Sequence, residues 1–140
     1  MRRLAAALLI ALMVTAGTAP PVVAHDGFVR AVNRFRLNHD RPPLKTNANL
    51  DRIAHIRARQ IVTAFHHDFW WWSETNCGWV GENIAYRKPP PEKPIRWLMR
   101  AFKNSPFHRA NMLGDWRRIG AAYLIRDGGL WGVQVFCKPR

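Results

Sequence analysis

Acidic side chains are scarce in this 140-residue chain, nine against 22 lysines and arginines, for a formal net charge of +13. Cysteine is scarcer still: Cys77 and Cys137 are the only two, and they form no Cys-x-x-Cys pair. A zinc ribbon and a thioredoxin-type redox site are thereby excluded. The chain also lacks a Gly-x-Ser-x-Gly elbow, a His-Glu-x-x-His helix, a phosphate-binding glycine loop and a dinucleotide fingerprint. The hydrolase, metalloprotease and nucleotide-binding classes that depend on those motifs fall with them. There is no internal repeat and no long linker. The one long apolar run, Leu4 to Val14, is too short to span a bilayer comfortably.

That run has a use of another kind. Arg2 and Arg3 precede it and the small residues Val22-Val23-Ala24 follow it, the layout of an export signal cut after Ala24, with an uncleaved anchor as the alternative. Residues 25–140 then form one domain, long enough for a real core and too short for two. Losing residues 1–24 removes two arginines and no acid, so +13 becomes +11. In a secreted or periplasmic protein such a charge suits anionic lipid headgroups, wall polymers or acidic proteins rather than nucleic acid; it can equally be a solubilising surface. Two cysteines in an exported chain fit one disulfide, with two buried thiols as the alternative. Closing that loop would contribute about 4 kcal/mol on the chain-entropy model.

Periodicity divides the domain. Phe28, Val32 and Phe35 share one face of a helix expected from Asp26 to Leu37, which Asp40-Arg41-Pro42-Pro43 ends. A second helix follows Asn47 or Asn49 as cap. Its expected buried stripe is Leu50, Ile53, Ala54, Arg57/Ala58, Ile61 and Phe65; Arg52, His55, Arg59 and Gln60 are expected to face water. Gly81 to Tyr86 reads as a short strand, and the proline-rich stretch from Lys88 to Pro94 as a stiff connector. A helix from Ile95 to about Lys103 comes next. A second short one opens at Ser105-Pro106, with the Ser105 hydroxyl as its cap, and ends at Gly114. Ile119 to Ile125, the turn Asp127-Gly128-Gly129 and Leu130 to Cys137 make a final hairpin. Its last strand is apolar at nearly every position and should be covered on both faces. This order predicts an α+β domain with a small antiparallel sheet.

Four short motifs go beyond architecture. They are Val32-Asn33-x-x-Arg36, Gly81-Glu82-Asn83-Ile84, the run from Ser105-Pro106-Phe107-His108-Arg109 to Leu113, and Val133-Gln134-Val135-Phe136. Together they resemble the short bacterial, secreted branch of the CAP superfamily, the SCP-like or PR-1-like domains, over roughly Phe28 to Phe136. The resemblance implies a three-layer α-β-α sandwich and a central cleft holding two histidines and two acids. Glu82 matches the first acid and His108 one histidine. His67 matches the other, with His66 as the alternative, and Ser105 stands where the second acid would be.

The three remaining groups suit several chemistries. At the start of a helix the positive dipole end disfavours imidazolium at His108, and a neutral imidazole can accept a proton or ligate a metal. His67, His108 and Glu82 would match a catalytic zinc set with an open fourth position. The same groups can equally form a hydrogen-bonded cluster tying helix to sheet. Asn83 and Asn111 are read as structural amides bonding backbone groups, and Asn33 and Arg36 as pins from the first helix to its connector.

Phe69-Trp70-Trp71-Trp72 follows the candidate histidine. Three consecutive tryptophans cannot all point into one core, so at least one should be exposed or line a groove, suited to a sugar face or a membrane interface. The leading reading is a binding module whose ligand, an amphiphilic or anionic envelope component such as a lipid or cell-wall polymer, lies by His67, Glu82 and His108 and is flanked by Trp70, Trp71 and Trp72. The alternatives are a zinc-assisted hydrolase or peptidase using His67, Glu82 and His108, and a cationic partner- or membrane-binding protein with a vestigial cleft.

Overall fold

The computed structural model describes residues 23–24 and 26–140. Residues 1–24, assigned above to an export signal, lie outside the described residues except for Val23–Ala24.

Helix α1 spans Asp26–Leu37 and buries Phe28, Val29, Val32 and Phe35. Helix α2 spans Ala48–Thr63. Its cap is Asn47, whose side chain accepts from the Leu50 amide at 3.1 Å and so satisfies one of the orphan donors of the first turn. Leu50, Ile53, Ala54, Arg57, Ala58 and Ile61 form its buried face as the spacing required. Phe65 departs from it: the helix has already ended, and the ring is 51% exposed. A single 3-10 turn over Trp70–Glu74 follows.

Strand β3 runs Cys77–Arg87, longer than Gly81–Tyr86 because it extends through a bulge at Cys77/Trp79. Helices α3 (Pro94–Asn104) and α4 (Pro106–Met112) follow. Strands β4 (Arg118–Arg126) and β5 (Gly129–Pro139) close the chain as a hairpin. Its two turn residues, Asp127 and Gly128, have φ of 52° and 70°, the left-handed pair that a tight hairpin turn demands.

The three long strands are antiparallel, with β5 between β4 and the edge strand β3. Two short strands add to the outer edge of β4: β1 (Val23–Ala24) antiparallel, and β2 (Lys45–Thr46) parallel. The sheet is therefore mixed at that edge. Helix α2 packs on one face with Trp71, Ile84, Leu124, Val133 and Val135. On the other face α1, α3 and α4 cover Ala85, Ala121, Leu130 and Phe136. The architecture is the three-layer α-β-α sandwich, and β5, covered on both sides, is buried from Val133 to Cys137.

Two features fasten this half of the molecule, one within the sheet and one between the sheet and α2. Cys77 and Cys137 are joined as a disulfide across β3 and β5, with Cα atoms 5.5 Å apart. At Gly120 the backbone of α2 lies directly on β4, where a Cβ would come 2.2 Å from the Leu50 carbonyl oxygen. Glycine is required there by close approach. On the opposite layer, Asn33 exchanges two hydrogen bonds with the backbone of Leu44, at 2.9 and 2.8 Å. Arg36, 1% exposed, donates to the carbonyls of Pro42, Met112 and Gly114. Both residues pin α1 to its connector, and Arg36 also closes the end of α4.

Candidate functional site

The edge strand β3 carries Glu82 and Asn83 on its two faces, and the candidate site straddles it. Glu82 points toward α2, and its side chain has no solvent exposure. Arg57, on the buried face of α2, grips the carboxylate with both arms of its guanidinium, Nε to Oε2 at 2.6 Å and Nη2 to Oε1 at 3.0 Å. Such a fork is the strong, directional form of an ion pair. Arg57 also donates to the Gln60 side chain at 2.9 Å and to the His66 carbonyl at 2.8 Å. The last bond anchors the chain where it leaves α2.

Of the two adjacent histidines, His67 is the one that contacts Glu82. His67 Nδ1 lies 3.1 Å from Glu82 Oε1, while the exposed ring of His66 meets only the Ala64 carbonyl. A carboxylate can only accept, so Nδ1 of His67 carries a proton, and whenever the ring is neutral Nε2 is the acceptor. The His67 side chain is 48% exposed, and its ring stacks on Phe69 with centroids 6.3 Å apart.

His108 approaches from the other layer. Asn83 Nδ2 donates to its carbonyl at 3.0 Å and to Gln134 Oε1 at 2.9 Å. Asn111 donates to Asn83 Oδ1 at 2.9 Å and to the Glu82 carbonyl at 3.3 Å. Asn83 and Asn111 thus do the backbone work expected of them. The half-buried imidazole of His108 lies edge-on to Phe102 at 5.1 Å. Burial pushes its pKa below the ordinary value, and the charge of nearby His67 works in the same direction. Both influences favour the neutral ring expected from the sequence, with burial the larger. The Ser105 hydroxyl makes no capping bond; its carbonyl accepts from the Arg109 amide instead.

The tryptophans divide. Trp71 is fully buried and belongs to the core, so it lies out of reach of a surface ligand. Phe69, Trp70 and Trp72 line an open hollow of about 440 Å³ with Arg140 at its rim. Trp70 Nε1 donates to Gln60 Oε1 at 3.2 Å. A continuous polar chain therefore runs from Trp70 through Gln60, Arg57 and Glu82 to His67.

Arg57 is the site residue that sequence reasoning missed as a site residue. The signal was present: an arginine in the apolar stripe of an amphipathic helix needs a buried anion to offset its desolvation. Among the described residues no three His, Cys, Asp or Glu side chains converge as metal ligands. Both carboxylate oxygens of Glu82 are already held by Arg57, so the donor set His67, His108 and Glu82 as arranged does not fit a zinc ion.

Comparison with known proteins agrees with this fold. The family model described as the cysteine-rich secretory protein family, CAP, matches residues 29–136. Among solved structures, an outer surface protein of Borrelia burgdorferi superposes with a TM-score of 0.67 at 15% identity, covering 86% of this chain and 98% of that one. A cysteine-rich secretory protein of Staphylococcus aureus superposes with a TM-score of 0.65 at 20% identity. There the match covers 79% of this chain but only 37% of the other. The structure of NaASP2 with Zn2+ gives a TM-score of 0.59 at 10% identity, covering 85% and 83%. None of the curated proteins matches the chain. The chain belongs to the CAP family.

Proposed function

We propose that this CAP domain is an exported binding module. The region beside β3, formed by His67, Glu82 and His108 and continued by Trp70 and Trp72, takes an amphiphile with an anionic group, a component of the cell envelope. The observation that carries the reading is the state of Glu82. Its carboxylate is buried and forked by Arg57, so that carboxylate is neither a free base nor a free ligand, whereas the hollow lined by Phe69, Trp70 and Trp72 is open. Phe69, Trp70 and Trp72 offer apolar ring faces, Arg140 a cation at the rim, and His67 an acceptor nitrogen. Aromatic rings with satisfied polar ends suit a ligand that is apolar at one end and wet at the other.

Calorimetry with monomeric lysophosphatidylglycerol tests it. Saturable binding should weaken about tenfold, a loss of 1.4 kcal/mol, in Trp72→Ala and in Arg140→Ala. Absence of binding at low salt, where charges are least screened, or indifference to both substitutions, would sink the proposal.

A metal-assisted hydrolase is the second reading, favoured by one observation: the structural neighbour NaASP2 was solved with Zn2+. It requires Glu82 to leave Arg57. Zinc binding at micromolar affinity that disappears in both His67→Ala and His108→Ala would favour it over the binding module.

A further inference from the structure

The ion pairs of the described residues are unevenly spread. Arg52–Glu74, Arg57–Glu82, Arg117–Asp115, Arg126–Asp127 and Lys138–Asp115 account for the arginine and lysine pairs. Not one involves the outer face of α1 and α3. On that face two hollows meet. The first is bounded by Arg87, Lys93, Arg96 and Arg100, with Glu92 as its sole acid. The second lies between α1 and α3, has Arg30, Arg34, Arg96 and Lys103 on its walls, and contains no acid. Arg96 belongs to both, so seven cations against one anion form a continuous track.

Their placement is orderly. Arg96, Arg100 and Lys103 follow one another by four and three residues along α3, which sets their side chains at steps of about 5–6 Å on one face. Arg30 and Arg34 stand one turn apart on the facing helix α1. The guanidinium of Arg87 lies over the Trp97 ring at 5.5 Å and Lys103 over Phe35 at 5.9 Å. Cation–π contact leaves the donors free for a ligand while limiting side-chain freedom. Like charges so close repel one another, and a polyanion would relieve that repulsion.

We propose that this face binds a linear polymer of phosphodiester-linked polyols, along the track from Arg87 through Arg96 to Arg34. Two observations select that ligand. None of the most exposed large apolar side chains, Phe65, Phe69, Trp72, Trp79, Tyr86 and Phe107 among them, lines either hollow, so nothing there inserts into a bilayer. The aromatics of the track are Trp97 and Phe35, and their rings are already engaged, Trp97 by Arg87 and Phe35 by Lys103 and Arg109, so bases of a nucleic acid would find no free stacking platform. What remains is charge recognition of a flexible chain of phosphates. The inference rests on this face alone and is independent of the ligand beside β3.

The test compares three probes on the disulfide-intact protein: poly(glycerol phosphate), single-stranded DNA of matched charge, and phosphatidylglycerol vesicles. Poly(glycerol phosphate) should bind most tightly, with affinity falling steeply as salt rises. Arg96→Glu should weaken it about tenfold and Arg96→Glu with Arg100→Glu about a hundredfold. Arg59→Glu, the same charge change on the exposed side of α2, should cost less than about threefold. These positions are exposed, and circular dichroism will show whether the fold is kept. Equal losses from Arg59→Glu and Arg96→Glu would reduce the effect to net charge and overturn the proposal. So would tighter binding to DNA or to vesicles, or no binding to the polymer at low salt.

Discussion

Glu82 and Asn83 are neighbours in one strand and support two different kinds of polar knot. On the α2 face the knot is ionic: Arg57, Glu82 and His67, with only the imidazole reaching water. On the α4 face it is made of neutral amides, Asn83, Asn111 and Gln134, packed beside the sulfurs of Met99 and Met112. The ionic knot holds a histidine by its ring. The amide knot holds one by its backbone, through the His108 carbonyl, and leaves its ring packed edge-on to Phe102. A single strand thus positions two imidazoles from opposite layers, one fixed in tautomer and one fixed only in place.

The sharpest way to break this contrast is to remove one ionic partner. Arg57→Met leaves a buried carboxylate without its counterion and should lower stability by about 3–5 kcal/mol, read as a fall in the urea midpoint at constant slope. Replacing both partners, Arg57→Met with Glu82→Leu, should recover more than half of that loss, because two apolar groups need no compensation. A double variant as unstable as the single would mean that the surrounding bonds to Gln60 and His66, not the pair, carry the energy.

The amide knot should be cheaper to damage. Asn83→Ala strips partners from Gln134 and from the His108 carbonyl, at a cost of about 1–3 kcal/mol. The sharper readout is the ring of His108: its proton resonances should broaden or shift in Asn83→Ala and stay put in a stability-matched substitution elsewhere in the core.

The smallest effect is one of pH. Burial lowers the pKa of His108 in the folded protein, so the unfolded chain binds the proton first as pH falls. The contribution is complete above the unfolded value near 6.5 and is lost as pH drops from there through the folded value. His55 on α2, also lowered by burial and by Arg59, acts in the same direction. His108→Asn should therefore flatten part of the acid-side loss in thermal scans and leave the His55 part. An unchanged profile would show that the His108 ring is as well solvated folded as unfolded.

Much of this frame was legible in the residues. The spacing of Phe28, Val32 and Phe35, the Asn47 cap and the Asp127-Gly128 turn are local signals, and local geometry honoured them. The motifs around Glu82 and His108 pointed to a shared site; the fold sets Glu82 against Arg57 and His67 on one face of β3 and holds the His108 backbone against Asn83 on the other. What stayed hidden was long-range. Arg57 looks like a misfit in an apolar stripe until Glu82, 25 positions later, is folded against it. Trp70, Trp71 and Trp72 are identical letters whose fates depend on how a 3-10 turn rotates each one. Ser105 reads as a cap and has the extended backbone of one, yet its hydroxyl makes no bond to the helix amides.

The contact at Gly120 has a consequence for motion. With the α2 backbone seated on β4 at Gly120 and β3 tied to β5 by the Cys77–Cys137 bridge, α2 and the sheet are expected to travel together. Any change in the separation of His67 and His108 then falls to the segment from Ala64 to Phe69 and to the α4 side. Relaxation experiments should find millisecond exchange there and little in α2, a half-rigid jaw that closes from one side only.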